Sequence, residues 1–387
     1  MARVLFVTPA VPAADRNGVA MRAGVGVEAL RERHDLTVAV VRSPFDTSPF
    51  DWVRAHAERV VEVLCSDDPR SAMSWLSSPL GRAVARGSLP PLARFRPPSL
   101  GEMIVEEVGD DFDAVVVMGT CTAGAAIPFL ERGVGGVLDA FDDDARTCAS
   151  LARLDPTLLD DVPVHEAFQR EVYGWFDRVL LASLDDAVAP DDHLPNAVRI
   201  PPHTARPADR SPIGLLFVGN PGYLPNRDAL TRLQRHIVPA VEARGVAVRL
   251  LHPGPDDDID DFYAEAHIAA VPLRAGGGTR IKILEAFAHH CPVVSTPTGA
   301  MGLGVTGGEH LVLTSTDDDD GAFADAVVAL VRDADRRARL TDAAFAFVTS
   351  HHDHRDVGAR LAAIVERVIA ERSDPLDEPP TRADPAR

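Results

Sequence analysis

Lysine is almost absent from this chain. The single lysine is Lys282, and every other position among the 39 lysines and arginines is arginine. Basic charge is scarce overall, because 58 acidic residues leave a formal net charge of −19 at pH 7. So acidic a chain is not expected to bind nucleic acid in general or to be drawn as a whole to anionic lipid. The one lysine that is kept suggests that a compact ammonium group is needed at that position.

Cysteines and long apolar runs are scarce too. The four cysteines have the spacing of neither a disulfide framework nor a metal site, which favours a reducing compartment; they are Cys65, Cys121, Cys148 and Cys291. No apolar run approaches the length of a membrane span, and the first residues resemble a strand rather than the apolar core of a signal peptide. We therefore expect a cytoplasmic protein. The preference for arginine over lysine, with abundant alanine and aspartate, is typical of a high-GC bacterium.

The length and the order of apolar segments indicate two α/β domains. A chain of 387 residues is longer than a single hydrophobic core usually serves. The opening residues predict a strand at 3–8, a helix at about 19–33 and a second strand at 36–41, which together make a βαβ unit. Proline, aspartate and histidine without periodicity at 190–210 predict the end of the first domain.

A glycine triplet, Gly276–Gly278, organises the second half of the chain. It lies between a predicted strand at 268–273 and a predicted helix at about 279–290, and a further strand is predicted at 292–295. Such a unit implies a parallel sheet with the glycine loop at its carboxyl edge. Glycines let the backbone approach a ligand and direct N–H groups toward it, and a helix start adds unpaired donors. The pattern predicts a phosphate site.

Two basic side chains support this prediction. Arg280 is expected in the first turn of the helix and Lys282 just beyond it, where a cation opposes the helix dipole unless an anion binds. Glu285 falls on the same helix face. The residues alone leave two interpretations open. Lys282 and Glu285 form an ion pair on a buried helix, or Glu285 accepts hydrogen bonds from two ribose hydroxyls.

The run 272–303 (PLRAGGGTRIKILEAFAHHCPVVSTPTGAMGL) resembles the donor-site signature of the family 4 retaining glycosyltransferases, which have the GT-B fold. A second run, 214–230 (GLLFVGNPGYLPNRDAL), is similar to the first strand and loop of that family's C-terminal domain. The resemblance implies an α/β protein of two Rossmann-like domains that face each other across a cleft. It also implies a nucleotide diphosphate sugar as donor, with its diphosphate on the glycine loop and its ribose on Glu285, and no metal or cofactor in catalysis.

The resemblance also divides the chain. It implies an N-terminal acceptor-binding domain at 1–205, a C-terminal donor-binding domain at 206–350, and a helix at 351–372 that crosses back to the N-terminal domain. The tail 373–387 is rich in proline, aspartate and arginine and is predicted to be disordered. The family's loop after the first strand approaches the cleft, which makes Gly18 a candidate for close backbone approach, although an ordinary βα loop also fits.

Three features depart from the family's pattern. The family's basic pair for the diphosphate is replaced by Asn220 and Pro225, so the positive charge is expected from Arg280 and Lys282, with Arg227 as a less favoured source. The position of the first glutamate of the usual pair is taken by Gly277. The chain is also shorter by roughly one strand–loop unit, about 20 residues, in the part that lines the base pocket.

Two clusters invite a metal interpretation. Asp142, Asp143 and Asp144 follow a predicted strand and could bind a hard cation as the Asp-x-Asp pair of GT-A enzymes does, or they could cap a helix. The family resemblance instead assigns Asp142 to the cleft, in contact with the transferred sugar or the acceptor. A second cluster precedes the last helix and fits either a metal site or a polar helix cap; it consists of His351, His352 and His354.

The segment 69–100 has several arginines, no acidic residue and interleaved large apolar side chains. It could form an acceptor face or a peripheral dock on the inner face of a membrane, or it could be a solvated loop with snorkelling arginines.

The resemblance predicts a metal-independent glycosyltransferase that transfers sugar with retention to a glycan, a lipid-linked saccharide or a secondary metabolite. The alternatives are a non-catalytic glycosyltransferase-like partner or regulatory binding protein and, ranked lower, a GT-B nucleotide-sugar epimerase. The predicted catalytic residues are Asp142, Arg280 and Lys282. The predicted donor-binding residues are Gly18, Gly219, Asn220, Gly276, Gly277, Gly278, Thr279 and Glu285.

Overall fold

The computed structural model describes residues 1–42, 46–64, 100–187, 189, 192–202, 211–254, 257–278 and 280–373. Three of the predictions above concern residues that lie outside this part of the chain. They are the predictions for the basic and apolar segment 69–100, of which only Leu100 is described, for Thr279 in the glycine loop, and for the tail after Ser373.

The first half of the chain forms a six-stranded parallel sheet. Its strands are β1 (Arg3–Thr8), β2 (Asp35–Arg42), β3 (Arg59–Leu64), β4 (Ala114–Met118), β5 (Gly135–Phe141) and β6 (Arg178–Leu181). The strand order is β3-β2-β1-β4-β5-β6, which is the order of a doubly wound Rossmann sheet. The central strands are almost continuous buried apolar runs, as a parallel sheet covered on both faces requires.

Helices cover both faces of this sheet. They are α1 (Gly18–Arg31), α2 (Asp51–His56), α3 (Leu100–Val108), α4 (Ile127–Leu130), α5 (Asp144–Leu151) and α6 (Val162–Tyr173), with 3₁₀ turns at Thr120–Ala126 and Pro156–Asp161. Because side chains alternate along each strand, neighbouring residues enter different cores. Leu5 packs with Phe129 on one face, and Phe6 packs with Leu30 on the other.

The second half of the chain forms a five-stranded parallel sheet. Its strands are β7 (Ile213–Leu216), β8 (Val248–Leu251), β9 (Ile268–Val271), β10 (Val293–Ser295) and β11 (Val312–Leu313). The order is β11-β10-β9-β7-β8, so the direction in which strands are added reverses between β7 and β9. In open parallel sheets, ligands bind outside the carboxyl ends of the strands at such a reversal.

The helices of the second half include two that a π turn joins. They are α7 (Leu224–Arg232), α8 (Val238–Ala243), α9 (Ile259–Glu265), α10 (Ile281–Ala288), α11 (Pro297–Ala300), α12 (Asp320–Arg332), α13 (Ala334–His351) and α14 (His354–Ser373). A π turn at Leu233–Ile237 joins α7 and α8. The fully buried residues there are spaced by four positions, and the wider turn keeps them on one face; they are Ala229, Leu233, Ile237 and Val241.

The chain crosses between the two domains twice, and the two crossings are paired. The backbone N–H of Val198 donates to the carbonyl of His352 (2.9 Å), and that of His354 donates to the carbonyl of Val198 (3.1 Å). Helix α14 then packs on the N-terminal domain, where Leu361 and Val365 join the same core as Phe6. Within the described residues, no helix has both the length and the apolar character needed to cross a bilayer.

Candidate active site

The glycine loop follows β9 at the carboxyl edge of the second sheet. Gly276 (φ 120°) and Gly278 (φ 64°) have positive φ angles that disfavour a side chain. The Arg280 side chain holds the loop from below, because its Nη1 donates to the carbonyl oxygens of Gly277 and Gly278, the latter at 2.9 Å. These hydrogen bonds turn the two carbonyl groups toward Arg280.

Arg280 is buried, with 7% of its surface exposed. Its Nε and Nη2 atoms are inaccessible to solvent and have no hydrogen-bond partner among the described residues. Burial lowers the pKa of Arg280, while Tyr223 and Asp142 act in the opposite direction. Buried donors without acceptors are costly and uncommon in native proteins. Arg280 carries two such donors beside the glycine loop.

The position of Arg280 differs from the prediction in one respect. The residue is the N-cap of α10, with extended backbone angles, and does not lie in the first turn. Lys282 is in the first turn instead. An N-cap side chain can fold back under the preceding loop, and Arg280 does so.

Lys282 does not pair with Glu285. Its Nζ donates to Asn226 Oδ1 at 2.7 Å and lies 4.6 Å from the centre of the Phe217 ring. Among the described residues no ion pair joins Lys282 to Glu285, so the ion-pair interpretation of this helix is wrong for this structure. Burial and the nearby Arg280 lower the pKa of Lys282 to about 7, against the effect of Glu285. Part of the side chain remains accessible to solvent.

Glu285 lies one turn further along α10 and is also partly accessible. Burial raises its pKa to about 7, and Lys282 opposes this shift. With pKa values of about 7, Lys282 and Glu285 are each only partly charged at neutral pH without a ligand. A bound anion would favour the charged form of the lysine.

Asn226 is a site residue that the sequence analysis missed. It lies in the first turn of α7 and is 9% exposed. Besides accepting from Lys282, its Nδ2 donates to the carbonyl of Asn220 at 3.0 Å. A side chain at Gly219 would collide with Asn226. Gly219 and Asn220 therefore hold the amide that orients Lys282, and Asn220 itself is exposed. Nothing in a lone asparagine at a helix start would have identified it.

The N-terminal domain supplies the opposite wall of the cleft. Phe141 ends β5 with φ 51°, a conformation that is rare for a bulky residue and is found at functional sites. The register between β5 and β6 shifts at the same place. The turn directs Asp142 against Gly278, where any Cβ atom would collide with its carboxylate. Asp142 and the glycine loop, predicted separately, are thus brought together.

The surroundings of Asp142 favour its neutral form. Burial raises the pKa of this carboxyl to about 7; Arg280 opposes the shift and Asp144 adds to it. Asp144 has a raised pKa as well, through burial first, although it accepts a hydrogen bond from the hydroxyl of Thr120. A carboxyl that titrates near neutrality beside a buried arginine is a candidate catalytic group.

Helix α5 contacts the glycine loop directly. Ser150 Oγ accepts a hydrogen bond from the Gly276 N–H at 3.0 Å. Thr147 occupies the space that a side chain at Gly277 would need, and its Oγ1 is buried without a partner among the described residues. The missing first glutamate of the family's pattern has a steric cause here, because only glycine fits at position 277.

Gly18 also lies at the cleft. A Cβ atom at this first residue of α1 would stand 2.8 Å from Cδ1 of Ile281, which begins α10 in the other domain. The loop after β1 and the helix after the glycine loop therefore meet closely. Pro225 lies near Gly276, within 3.5 Å of where its Cβ would be.

The two suspected metal clusters have structural explanations. Asp143 is the N-cap of α5 and accepts from the Arg146 N–H at 2.9 Å, as the capping interpretation predicts. His352 Nδ1 bonds the carbonyl of Asn196 at 2.7 Å, and His351 Nδ1 bonds that of Phe347 at 3.0 Å. In the described part of the chain no group of three or more histidine, cysteine, aspartate or glutamate side chains is arranged to hold a metal ion.

Comparisons with known proteins identify relatives of part of the chain. Residues 198–333 match the family model "Glycosyl transferases group 1". A segment of 113 residues is 27% identical to the "Uncharacterized 44.6 kDa protein in cps region" of Klebsiella pneumoniae, over 29% of this chain and 28% of that protein. A segment of 130 residues is 32% identical to "Lipopolysaccharide core biosynthesis mannosyltransferase LpsB" of Rhizobium meliloti (strain 1021), over 33% of this chain and 37% of that protein. The chain thus spans roughly a third of the length of each of these relatives.

Solved structures resemble the whole chain. Sucrose-phosphate synthase from Thermosynechococcus elongatus superposes with a TM-score of 0.66 at 13% identity, over 96% of this chain and 100% of that one. HepE from Anabaena, solved in complex with UDP-glucose, superposes with a TM-score of 0.63 at 15% identity, over 95% of this chain and 100% of that one. Identities this low show the fold alone. The predicted fold class is confirmed: two parallel-sheet α/β domains face each other across a cleft, and the chain has the GT-B fold of the glycosyltransferases.

Proposed function

We propose that this protein is a glycosyltransferase that moves a sugar from a nucleotide diphosphate sugar to an acceptor held by the N-terminal domain. One observation carries the proposal: the buried Arg280 keeps two N–H donors without acceptors beneath a glycine loop, at the carboxyl edge of the sheet. A diphosphate has the charge and the acceptor oxygens that would satisfy them. The match of residues 198–333 to a glycosyltransferase family model supports the same conclusion.

The roles of the basic residues follow from where charge develops in the reaction. The bond between the anomeric carbon and the β-phosphate oxygen breaks, and negative charge grows on the phosphate as it leaves. Arg280 and Lys282, with the N–H groups of Gly277 and Gly278, would stabilise that charge. In this proposal Thr279 extends the same cradle, and Gly18, Gly219 and Asn220 support it from the neighbouring loops.

The remaining partners of the donor are assigned by chemistry. Glu285, one turn beyond Lys282, would accept hydrogen bonds from the two ribose hydroxyls. Asp142 would lie beside the transferred sugar, where a carboxylate stabilises the positive character of the anomeric carbon. We infer family 4 and retention of anomeric configuration from the donor-site motif. In that case the acceptor hydroxyl attacks from the face that the phosphate leaves, and its proton passes to the departing phosphate.

The acceptor and the place of action are inferred more broadly. A glycan, a lipid-linked saccharide or a secondary metabolite would each supply the hydroxyl that the reaction needs. The names of the two curated relatives, one encoded in a cps region and one a lipopolysaccharide core mannosyltransferase, favour the saccharides. We propose a cytoplasmic bacterial enzyme, at the inner face of the membrane if the segment 69–100 docks there, that needs no metal or cofactor.

The proposal is tested by calorimetric titration of the protein with UDP, GDP and dTDP sugars. We expect one nucleotide family to bind and to be hydrolysed slowly or transferred. Lys282→Met should weaken this binding by roughly 10-fold to 100-fold, because it removes a charge-assisted hydrogen bond. Arg235→Met, at an exposed arginine of the π turn, is the matched control and should bind like the wild type.

Stability separates the proposed role of Lys282 from a structural one. Because burial disfavours the charged lysine, Lys282→Met should leave the melting temperature unchanged or raise it. A fall in melting temperature as large as the loss of binding would assign Lys282 to structure. Failure of all three classes of nucleotide sugar to bind would contradict the glycosyltransferase itself and favour a non-catalytic partner.

A further inference from the structure

A groove in the N-terminal domain lies between α5 and α6, beside the cleft. It has a volume of about 510 Å³, which is within the usual range of small-molecule sites, roughly 300–1,000 Å³. The groove is open at this place because Ala145 and Ala149, one helical turn apart on α5, are small and leave space that a larger residue would fill. Val162 adds apolar lining at the start of α6.

A fixed hydrogen-bond pair shapes the end of the groove nearest the cleft. Gln169 Nε2 donates to Asp143 Oδ1 at 3.1 Å, and Gln169 Oε1 accepts from the N–H of Ala145 at 3.1 Å. Both ends of the amide are therefore used, and they hold the Asp143 side chain in place. Preorganised side chains of this kind favour binding because little entropy is lost when a ligand arrives.

Tyr173 also lines the groove and carries a polar group that no described residue satisfies. The Tyr173 hydroxyl is buried and has no hydrogen-bond partner among the described residues. Burial and four nearby aspartates, Asp144 first, raise the pKa of this phenol, so it stays protonated and can both donate and accept. An unsatisfied hydroxyl at the wall of a polar groove indicates a ligand group that would meet it.

The charges around the groove indicate which ligand fits. Arg146 is held by Asp186 (2.6 Å) and by the carbonyl of Asp185 (2.5 Å), so its charge is balanced. Glu166 and Arg170 are exposed lining residues, and in the described part of the chain neither forms an ion pair. A ligand therefore meets carboxylates that accept and Arg170 and Tyr173 that donate. Hydroxyl groups match both kinds, whereas a phosphate would be repelled by the surrounding aspartates.

The groove is connected to the reaction site through the start of α5. Asp143 lines the groove, and its chain neighbour Asp142 faces Gly278 across the cleft. Consecutive Cα atoms are about 3.8 Å apart, so the end of the groove at Asp143 lies one residue from the carboxyl group that faces the glycine loop. Thr147 and Ser150, also on α5, contact the glycine loop, so this one helix separates the groove from the loop.

We propose that the α5–α6 groove is the acceptor subsite and binds a neutral saccharide, with a hydroxyl presented past Asp143 to the reacting sugar. This inference rests on the proposed glycosyltransferase function. It goes further in naming the acceptor class, uncharged and polyhydroxylated, and in excluding phosphorylated sugars from this groove. Gln169 holds Asp143 in place, and Asp143, Arg170 and Tyr173 bind and orient the saccharide.

The test uses the full chain with the nucleotide sugar found to bind, and a panel of neutral methyl glycosides and oligosaccharides of up to four units. Glucose 6-phosphate and mannose 6-phosphate form the charged arm. We expect one or more neutral saccharides to bind and to accept sugar. Ala149→Leu should weaken this binding by about tenfold or more, because it fills the floor of the groove. Ala167→Leu, the same change at an exposed residue of α6 outside the groove, should have no effect.

The outcomes separate the two proposals. If the nucleotide sugar binds equally in wild type, Ala149→Leu and Ala167→Leu while saccharide binding falls only in Ala149→Leu, the subsite is supported. Tyr173→Phe, which keeps the shape and removes the hydroxyl, should then raise the saccharide KM several-fold with little effect on donor hydrolysis. Equal saccharide binding in both leucine variants, no saccharide binding despite donor binding, or a preference for the phosphates overturns the subsite. A failure of the donor itself to bind overturns the proposed function.

Discussion

The two walls of the cleft are built by the same rule and carry opposite chemistry. Each is a loop that follows a strand at the carboxyl edge of a parallel sheet. The C-terminal wall presents Arg280 and Lys282 behind glycines, whereas the N-terminal wall presents Asp142 and, behind it, Asp144. On one wall, two donors of Arg280 have no acceptor among the described residues, and the other wall holds carboxyls with raised pKa values. Under the proposed function, this difference corresponds to a division of work, in which the leaving phosphate binds on one side and the sugar and its acceptor bind on the other.

Removal of Arg280 should have the largest effect, since it takes away the charge that distinguishes the C-terminal wall. Arg280→Met should lower donor turnover by about 10²–10³-fold, the usual cost of losing a group that stabilises the developing charge. Steady-state hydrolysis or transfer with the accepted nucleotide sugar measures this loss. Arg227→Met changes an exposed arginine at the same edge and should cost little. Similar losses in both variants would mean that general positive charge, not the buried donors of Arg280, binds the diphosphate.

The contact between the walls gives the next largest effect. Gly277→Ala should lower the free energy of unfolding by about 1–3 kcal/mol and should lower turnover too, because the new methyl group collides with Thr147. Thr147→Gly should restore much of the loss in the double variant, apart from the cost of a glycine in α5, about 1 kcal/mol. Kinetics and thermal melts of the four proteins form a double-mutant cycle.

Gly174→Ala is the matched control for this cycle, since a Cβ there makes only an ordinary contact at 3.4 Å. It should behave like the wild type. If Gly277→Ala also behaves like the wild type, the two walls do not meet in solution as they do in this structure.

The sequence predicted one wall far better than the other, and the reason is physical. The glycine loop, Arg280 and Lys282 are contiguous, so their spacing relative to a strand and a helix already describes the site. Ser150 and Thr147 belong to a helix about a third of the chain earlier in sequence, and only the packing of the two domains brings them to the loop. Asp142 could be suspected from its place after a strand, but the φ of Phe141 that aims it cannot be read from sequence.

The fold was predicted for a similar reason. Buried strands of parallel sheets are continuous apolar runs, and Arg3–Thr8 or Ile268–Val271 stand out from their surroundings. The weaker strand Arg59–Leu64 lies at the sheet edge, has two charged residues among its six and is only partly buried, so it was missed. Of the two interpretations left open for Lys282 and Glu285, the ion pair is wrong, because helix spacing shows only that two side chains are neighbours. Asn226, from another helix, takes the lysine's hydrogen bond instead.

A pH profile should show the two walls titrating in opposite senses. Asp142, with its pKa raised to about 7, gains charge as the pH rises, so the rate should increase through neutrality if the carboxylate is required. Lys282, with its pKa lowered to about 7, loses charge over the same range in the free enzyme. We therefore expect kcat/KM to form a narrow bell centred near pH 7. Donor phosphate raises the pKa of the lysine, so in kcat the alkaline limb should move upward.

Asp142→Asn separates these limbs. It should lower the rate and remove the acid limb while the alkaline limb stays, because the amide does not titrate in this range. Rates measured from pH 5 to 9 with saturating and with limiting donor give both profiles. An acid limb that persists in Asp142→Asn would assign that titration to another group, with Glu285 the first candidate, because its pKa is also raised to about 7.

The smallest effect is expected from an ion pair at the edge of the cleft. Arg153 of the N-terminal domain reaches Asp317 of the C-terminal domain at 3.0 Å, with its side chain 46% exposed. Exposed pairs of this kind contribute about 1 kcal/mol or less, so Arg153→Ala should change the balance of open and closed domains by no more than about fivefold. The donor KM should rise slightly, kcat should stay unchanged, and the radius of gyration of the free protein, measured by solution scattering, should increase a little.

Arg249→Ala is the control. It breaks the pair with Glu265 inside one domain and should change neither the donor KM nor the radius of gyration. Equal effects in both variants would mean that the loss of surface charge, not the link between the walls, changes donor affinity.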